Sequence, residues 1–178
     1  LCIGIESINN ETLKELGKPY TAEQNKKAIK ILKKMGFWVH GMMILGGEGD
    51  TPETLKETLE WANQNLDSVQ FFSPIPIPGT PFYNQMEKED RILTKKWYLY
   101  DGNHVLVRPK NFTPYKLQKT IFNMYEDFYS LRKALKRLKH SKNKILALGI
   151  LFYAKFSGRK MLYNPQTSQH LEFLKDFG

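Results

Sequence analysis

The sequence predicts an α/β fold in which about three parallel strands alternate with crossover helices, followed by a mostly α-helical C-terminal extension. The first observation is a set of three short apolar runs, at residues 1–5, 37–45 and 67–73. The second is that segments with helical periodicity separate these runs. Helical connections between short buried strands imply parallel pairing and right-handed crossovers.

The first predicted strand, residues 1–5, is a continuous apolar run with β-branched members. Asn9 or Asn10 then caps a short helix that Gly17 ends. Thr21 opens a capping box for a second helix. The apolar face of this second helix is predicted from residues spaced i, i+3, i+4 and i+7, namely Ala28, Ile31, Leu32 and Met35.

The second predicted strand, residues 37–45, is almost continuously apolar, which suits a parallel strand covered on both faces. A glycine-rich turn over residues 46–50 follows, and Thr51 then caps a helix with Pro52 at its first position. Residues 67–73 form the third predicted strand. Because three strands can neither close a barrel nor cover their own edges, we expect further strands from the rest of the protein.

The C-terminal extension begins after a proline-rich loop, residues 74–81, and a predicted short helix at residues 82–88. An irregular aromatic stretch then carries a predicted short strand at residues 104–107. We accordingly divide the chain into two domains, residues 1–88 and 89–178.

Three further helices are predicted in this extension. A long helix starts at Thr113-Pro114, another covers residues 143–163, and Thr167 caps a last short one. The long helix is expected to carry on one side Leu117, Ile121, Phe122, Tyr125, Phe128, Leu131 and Leu135.

Composition narrows the classes of protein to which the chain can belong. Its one cysteine, Cys2, excludes an internal disulfide framework and a self-contained cysteine-based metal site, and indicates a reducing cytoplasm. The longest apolar stretch, residues 145–154, is too short to span a bilayer. A chain that opens at Leu1 in mid-strand is expected to be a piece of a longer protein.

The net charge of +9 is concentrated in residues 132–160, with no acidic residue between Asp127 and Glu172. A solvated helix face, or one that meets an acidic surface elsewhere in a larger protein, is the favoured interpretation. Contact with nucleic acid or with an anionic membrane surface is the sharper alternative.

Candidate ligand-binding residues follow the strands, because ligands gather at the C-terminal ends of parallel strands. Glu6 and Ser7 can hold the hydroxyls or ammonium group of a ligand, although Glu6 could equally cap the next helix or pair with Lys18. Gly46 and the glycines beside it free the backbone for close approach of a ring or phosphate, or simply make a tight turn.

Other catalytic signals are weak. His40 and His104 have no partner at metal-ligand spacing, so we expect each to be buried and hydrogen-bonded. Ser7 and Ser73 lie at strand ends but lack a nucleophile-elbow motif.

Three segments in order carry a resemblance: "IGIES", "MMILGGEGDTPETLKETLEWA" and "PIPIPGTPFYNQM". Together they resemble the second half of the radical S-adenosylmethionine (SAM) core. The variety that the chain resembles most is the cobalamin-binding class B type, which includes the anaerobic magnesium-protoporphyrin IX monomethyl ester oxidative cyclase. Residues 97–137 weakly resemble the C-terminal extension of the cyclase-like members.

The resemblance implies a partial, TIM-like (β/α) barrel of which this chain supplies the last strands. It implies a 4Fe-4S cluster held by three cysteines, C-x₃-C-x₂-C, and a SAM molecule cleaved reductively to a 5′-deoxyadenosyl radical. By position, SAM contacts are expected from seven residues: Glu6 and Ser7 at the ribose and aminoacyl part, Ile44 and Gly46 at the adenine, Gly47 in the same glycine-rich turn, and Pro78 and Gly79 in the loop over the adenine side.

The chain departs from the family pattern at two points. It has Glu48-Gly49-Asp50 where Pro-Gly-Glu is common, and the cysteine triad is absent. We therefore expect the parent protein to be the enzyme, while this chain alone has no catalytic residue, is inactive and binds no cofactor tightly. Any cobalamin would be held by a preceding domain.

Two other functions compete with this hypothesis, a degenerate barrel acting as a scaffold and a basic nucleic-acid-binding module. The expected partners are the preceding half of the same protein, a small-molecule substrate that the sequence does not identify, and a second copy pairing at the open sheet edge. Nucleic acid is the less favoured partner.

Overall fold

The computed structural model describes residues 1–140 and 164–177, together with the single positions 145, 148, 149 and 152. The helix expected over residues 143–163 therefore lies outside the described residues, apart from those four positions, which are helical. The strands are β1 (Cys2–Glu6), β2 (His40–Ile44) and β3 (Ser68–Phe72); the helices are α1 (Asn10–Glu15), α2 (Ala22–Lys34), α3 (Pro52–Asn65), α4 (Pro81–Lys88), α5 (Pro114–Phe128), α6 (Leu131–His140) and α7 (Pro165–Leu174).

The three strands form one parallel sheet in the order β1-β2-β3, connected by helices. Gly4, Met42 and Gln70 are level with one another in the register. The predicted α/β fold, with parallel strands followed by a helical C-terminal region, is confirmed.

The helices cover one face of this sheet. Its side chains alternate, as a strand period of two requires, and those on the covered face are buried with residues of α2, α3 and α5 in one core. The opposite face is only half-buried by the described residues, at Met42, Ile44, Gln70 and Phe72. The predicted cover on both faces is therefore wrong for this part of the chain, and the half-open face is available to a ligand or to other chain segments.

The free edge of β3 is closed by two tyrosine hydroxyls of the C-terminal extension. Tyr125 Oη accepts the amide hydrogen of Phe71 at 2.8 Å and donates to its carbonyl oxygen at 2.9 Å. Tyr129 Oη does the same for Val69, at 3.0 and 2.8 Å. Four residues of helix advance about 6 Å and two residues of strand about 6.6 Å, so the hydroxyls match the spacing of the exposed backbone groups.

The predicted long helix is in fact two helices. α5 ends at Phe128, with Tyr129 as its C-cap, and the amide of Ala134 donates to Ser130 as the first helical bond of α6. Leu131 and Leu135 therefore do not continue the buried side of α5 but are exposed. Serine is a favoured N-cap residue, so Ser130 is the signal that indicates this second start.

The predicted apolar face of α2 is wrong at three of its four positions. Ala28, Ile31 and Met35 are exposed, and only Leu32 packs against the core, whereas Ala22 and Ile29 are buried. The reason is Asn25, whose Nδ2 donates to the carbonyl oxygens of Ile5 and Ser7 at 2.8 and 3.2 Å and so turns its side of the helix toward β1. The spacing of apolar residues alone cannot predict which side of a helix faces the protein when a polar residue fixes that side.

Two smaller expectations are corrected as well. Residues 104–107 form no strand in the structure, only an isolated bridge between Ile92 and Val107. α7 is capped by Asn164, whose side chain accepts the Thr167 amide at 2.7 Å, with Pro165 at the first helical position. The predicted caps Asn9, Thr21 and Thr51 are confirmed, as is Thr113 at the start of α5.

α7 is held to the extension by a buried histidine. Nε2 of His170 lies 3.0 Å from the Val105 carbonyl oxygen, and its ring meets that of His104 edge-on with 5.1 Å between centroids. Burial, aided by the neighbouring His104, lowers the pKa of His170 to about 4.

We expect the protein to lose stability in acid through His170. Below pH 6.5 the unfolded chain protonates this histidine, whereas the folded chain keeps it neutral down to about pH 4. The free energy of unfolding should therefore fall as the pH is lowered through that window, by an amount on the order of a few kcal/mol at most. Urea unfolding at several pH values measures this slope. His170→Gln should flatten it, and an unchanged slope in this variant would contradict the assignment.

Removing either edge-closing hydroxyl should destabilise the fold. In Tyr125→Phe the amide and carbonyl of Phe71 lose their partner, and we expect a loss of about 1–3 kcal/mol in urea unfolding. Tyr129→Phe should cost less, because Tyr129 is only half-buried. Tyr98→Phe, at an exposed tyrosine, is the matched control and should change stability by less than about 0.5 kcal/mol.

Candidate functional site

Most of the candidate residues lie together at the C-terminal end of the sheet, where the three strands finish. Glu6 ends β1, Ile44 ends β2 and Phe72 ends β3, with Ile44 and Phe72 directly paired. The Leu45 amide continues the ladder by donating to the Phe72 carbonyl at 2.7 Å. Because the strands are parallel, a ligand is expected at this C-terminal end of the sheet.

Glu6 occupies a strained position at the C-terminal end of β1. The register between β1 and β2 shifts between Gly4 and Glu6, and Glu6 has a φ of 62°, in the left-handed region. Non-glycine residues in that region cost about 1–3 kcal/mol and cluster at functional sites. A Cβ at Gly4 would lie 2.9 Å from Oε1 of Glu6, so the carboxylate folds back over the half-open face where glycine leaves room.

The carboxylate of Glu6 also pairs with Lys18, with 3.1 Å between Oε1 and Nζ. The ion-pair alternative raised from the sequence is therefore present. This ion pair leaves hydrogen-bonding capacity on the carboxylate, because the group has a second oxygen and remains partly exposed. Ser7, in contrast, is buried, and its hydroxyl oxygen accepts the Asn9 amide at 2.9 Å, so its role in the structure is to shape the turn into α1.

The glycine-rich turn is organised by Asp50. Its carboxylate accepts the amides of Gly46 and Gly47 at 2.8 and 3.1 Å and the Thr12 hydroxyl at 3.0 Å. Burial raises the pKa of Asp50, and these three hydrogen bonds offset part of that rise. Since both amides already have an acceptor, they are not donors for a phosphate.

Close packing explains why the turn is made of glycines. A Cβ at Gly47 would lie 2.8 Å from Cγ2 of Thr12, and one at Gly49 would lie 2.7 Å from Cβ of Glu11. Gly46 has a φ of 95°, and a Cβ there would collide with Leu117 of α5. α1 and α5 thus press on the turn with no room for side chains.

The segment after residue 88 fastens the same turn, which the sequence did not indicate. Glu48 pairs with Arg91 at 2.6 Å and with Lys110, while Nδ2 of Asn111 donates to the carbonyl oxygens of Glu48 and Asp50 at 2.9 Å. Burial acts to raise the pKa of Glu48, but the two cations outweigh it and hold that pKa below its usual value. The two predicted domains therefore share this contact, and the boundary at residue 88 stays a prediction.

The remaining candidates are placed as follows. Ile44 is half-buried on the open face, while Pro78 and Gly79 are exposed in the proline-rich loop, where a Cβ at Gly79 would meet open space. The proposed SAM contacts of all seven candidate residues stay predictions.

The histidines are hydrogen-bonded, as expected. His40 is half-buried, with Nδ1 2.7 Å from the Ser68 hydroxyl, and burial lowers its pKa. His104 is buried with Nδ1 2.9 Å from Asp101. Within residues 1–140 and 164–177, no group of three or more His, Cys, Asp or Glu side chains is arranged to hold a metal ion.

A polar cavity of about 370 Å³ lies away from the C-terminal ends of the strands. Lys33, Asp67 and Arg137 are among the residues that line it. The Asp67 amide donates to Val39, just before β2, so the cavity is near the N-terminal ends of the strands. Since ligands of parallel sheets bind at the opposite ends, we assign the candidate site to the strand ends and not to this cavity.

The fold and the residues at the C-terminal ends of the strands define a class of protein. The chain is part of a parallel α/β barrel that presents an acidic side chain and a glycine-rich turn at its ligand-binding end. Comparison with known proteins names the class more closely. Residues 1–62 match the model of the radical SAM superfamily, and this part of the chain belongs to that superfamily.

Relatives along most of the chain agree with that assignment. An uncharacterized methyltransferase of Pyrococcus horikoshii is 31% identical over 74% of this chain and 29% of its own length. The bacteriochlorophyllide d C-12(1)-methyltransferase of Chlorobaculum tepidum is 29% identical over 78% of this chain and 30% of its own. The anaerobic magnesium-protoporphyrin IX monomethyl ester cyclase of Rubrivivax gelatinosus is 27% identical over 98% of this chain and 33% of its own. The resemblance seen in the sequence is confirmed.

A solved structure supports the fold. Elp3 of the archaeon Methanocaldococcus infernus, with an N-terminal deletion, superposes with a TM-score of 0.50 and 22% identity over 69% of this chain and 25% of its own. This chain thus spans a third or less of the length of each of these proteins.

The turn should depend on the charge state and shape of Asp50. Asp50→Asn replaces one acceptor oxygen with an NH₂ group that faces amide or hydroxyl donors, so we expect a loss of about 1–3 kcal/mol in the free energy of unfolding. Urea denaturation monitored by circular dichroism measures it. Asp90→Asn is the control, because Asp90 is exposed and asparagine tolerates its φ of 53°. Equal stability of the two variants would refute the role given to Asp50.

Proposed function

We propose that the protein containing this chain is a radical SAM enzyme that cleaves SAM reductively at a 4Fe-4S cluster to give a 5′-deoxyadenosyl radical. The observation that carries the proposal is the strained Glu6 carboxylate at the end of β1, inside the segment that matches the superfamily. Substrate-radical chemistry of this kind suits both a cyclase and a methyltransferase, the two activities named among the relatives.

The residues at the C-terminal ends of the strands fit a SAM molecule chemically. The Glu6 carboxylate can accept hydrogen bonds from ribose hydroxyls or from the ammonium group. Ile44 offers an apolar contact on the same face to a neutral adenine ring. In this arrangement the protein's residues bind and orient SAM, and Lys18 positions the Glu6 carboxylate.

The cluster does not fit residues of this chain. A 4Fe-4S cluster is held by several cysteine thiolates, whereas the 178 residues contain one cysteine, Cys2, exposed in β1. We therefore place the cluster ligands outside this chain. The same holds for any cobalamin, whose use by the parent protein is part of the proposal and not a property of these residues.

The finer proposal is an oxidative-cyclase-like reaction. It rests on the cyclase of Rubrivivax gelatinosus, the relative reported above that is similar over nearly the whole of this chain. The exposed Trp97 and Tyr98, in a segment joined to β3 through the Gly102 carbonyl, offer aromatic surface to a large planar substrate such as that relative's name specifies. The alternative, a degenerate barrel that serves as a scaffold, predicts neither SAM cleavage nor SAM binding.

Glu6→Gln tests the proposal in the full-length protein, reconstituted with iron and sulfide under reducing, anaerobic conditions. Loss of a hydrogen bond to a charged acceptor costs about 1.5–3 kcal/mol, so the Kd for SAM should rise about tenfold or more, with slower formation of 5′-deoxyadenosine. Glu57→Gln, at an exposed position on α3, is the control and should leave both values unchanged.

Two outcomes would contradict the proposal. If the reconstituted wild-type protein forms no 5′-deoxyadenosine and shows no iron–sulfur absorbance, the scaffold alternative is the better description. If Glu6→Gln lowers stability but leaves SAM binding intact, Glu6 serves only its ion pair with Lys18.

A further inference from the structure

α6 is attached to the protein through its polar side. Ala134 is buried, and beside it the guanidinium of Arg137 lies 3.9 Å from the centroid of the Phe128 ring. Arg137 also donates to the Phe128 carbonyl oxygen and, at 3.2 Å, to Oδ1 of Asn63. A basic side chain therefore anchors the inner side of this helix.

Two of the three leucines of α6 point the other way, while Leu138 is half-buried. Leu131 is 57% exposed and Leu135 is 49% exposed, one turn apart on the same side. Arg132 and Lys136 are exposed beside them. A helix whose only role was to cover its own protein would bury the leucines and expose the arginine, so the orientation of α6 points to a partner outside the described residues.

The described positions that follow repeat this pattern. Residues 145, 148, 149 and 152 are helical and have the i, i+3, i+4, i+7 spacing of one helical face. Ile145 is 85% exposed and Phe152 is 73% exposed. Large apolar side chains are thus exposed at five described positions between residues 131 and 152, Leu148 included.

The charge of this region is of one sign. Ten lysine and arginine residues fall between positions 132 and 160, and no aspartate or glutamate occurs between Asp127 and Glu172. Exposed apolar side chains among basic ones, without acidic residues, are typical of helices that lie in the interface of an anionic bilayer.

We propose that the outer side of α6 and the described positions that follow it form a docking surface for an anionic lipid bilayer, with Leu131, Leu135, Ile145, Leu148 and Phe152 inserted at the acyl boundary and Arg132 and Lys136 among the headgroups. A bilayer satisfies both features, because it offers negative charge and an apolar layer within a few ångströms. Nucleic acid satisfies only the charge, since phosphate contacts leave exposed leucines in water.

This attachment is peripheral. The apolar stretch at residues 145–154 is about half of the roughly 20 residues that a spanning helix needs. Among the helices of the described residues, none has both the length and the apolar character to cross a membrane. Stretches of about 10–14 apolar residues belong to buried core helices or to interfacial segments, and the exposure of Ile145 and Phe152 favours the interfacial kind.

The test is flotation of the full-length protein with vesicles of phosphatidylcholine alone and of phosphatidylcholine with about 30% phosphatidylserine, where each Lys or Arg near the surface contributes about 1 kcal/mol. The wild type should partition to the anionic vesicles at least tenfold more strongly. Leu131→Ser/Leu135→Ser and, separately, Arg132→Gln/Lys136→Gln should each lower that partition coefficient about tenfold or more.

α2 offers matched controls for both pairs. Ile31 and Met35 have the same spacing as the two leucines and similar exposure, 49% and 67%, so Ile31→Ser/Met35→Ser removes the same kind of surface elsewhere. Lys27→Gln/Lys34→Gln removes two exposed charges. Both control variants should bind anionic vesicles as the wild type does, with unchanged circular dichroism.

Three results would overturn the proposal. The first is equal or absent binding to the two kinds of vesicle. The second is a loss of binding in the α2 controls as large as in the α6 variants. The third is salt-sensitive binding to a single-stranded RNA that exceeds vesicle binding and does not change in Leu131→Ser/Leu135→Ser, which would assign the surface to nucleic acid.

Discussion

The exposed edge of β3 is the constraint on which the rest of this structure depends. A parallel sheet of three strands leaves backbone donors and acceptors unpaired on both outer strands, and burying them without partners is costly. Tyr125 and Tyr129 meet that requirement on the β3 side with side-chain hydroxyls in place of another strand. Because each hydroxyl both donates and accepts, a helix can close a strand edge here.

Closing the edge in this way also determines what happens at the ligand-binding end. The two tyrosines fix the position of α5 along β3, and Leu117, two turns earlier in α5, is thereby held against Gly46. Arg91, Lys110 and Asn111, in the segment that leads into α5, then fasten Glu48 and Asp50 of the same turn. The extension thus acts as one wall of the candidate site, although it follows the barrel strands in the chain.

Local signals in the sequence were sufficient for the strands and for most helix starts, because Thr21, Thr51 and Asn9 act on backbone groups only a few residues away. The features that failed depend on distant partners. Asn25 sets the face of α2 through the carbonyls of Ile5 and Ser7, and apolar periodicity contains no trace of such bonds. At the candidate site, the sequence indicated Glu6 and the glycine-rich turn, but the use of the turn's amides by Asp50 could be seen only in three dimensions.

The closed β3 edge gives the sheet a direction of growth. Among residues 1–140 and 164–177, β1 pairs only with β2, so a strand from elsewhere can join the sheet on the β1 side alone. If a second copy occupies that edge, the two β1 strands meet about a two-fold axis and each copy's far side is already blocked by tyrosines. Such an association ends at a dimer, since a surface that pairs only with itself cannot propagate into a fibre. In such a dimer the hydroxyls of Tyr125 and Tyr129 would leave no second strand edge to which a further copy could add.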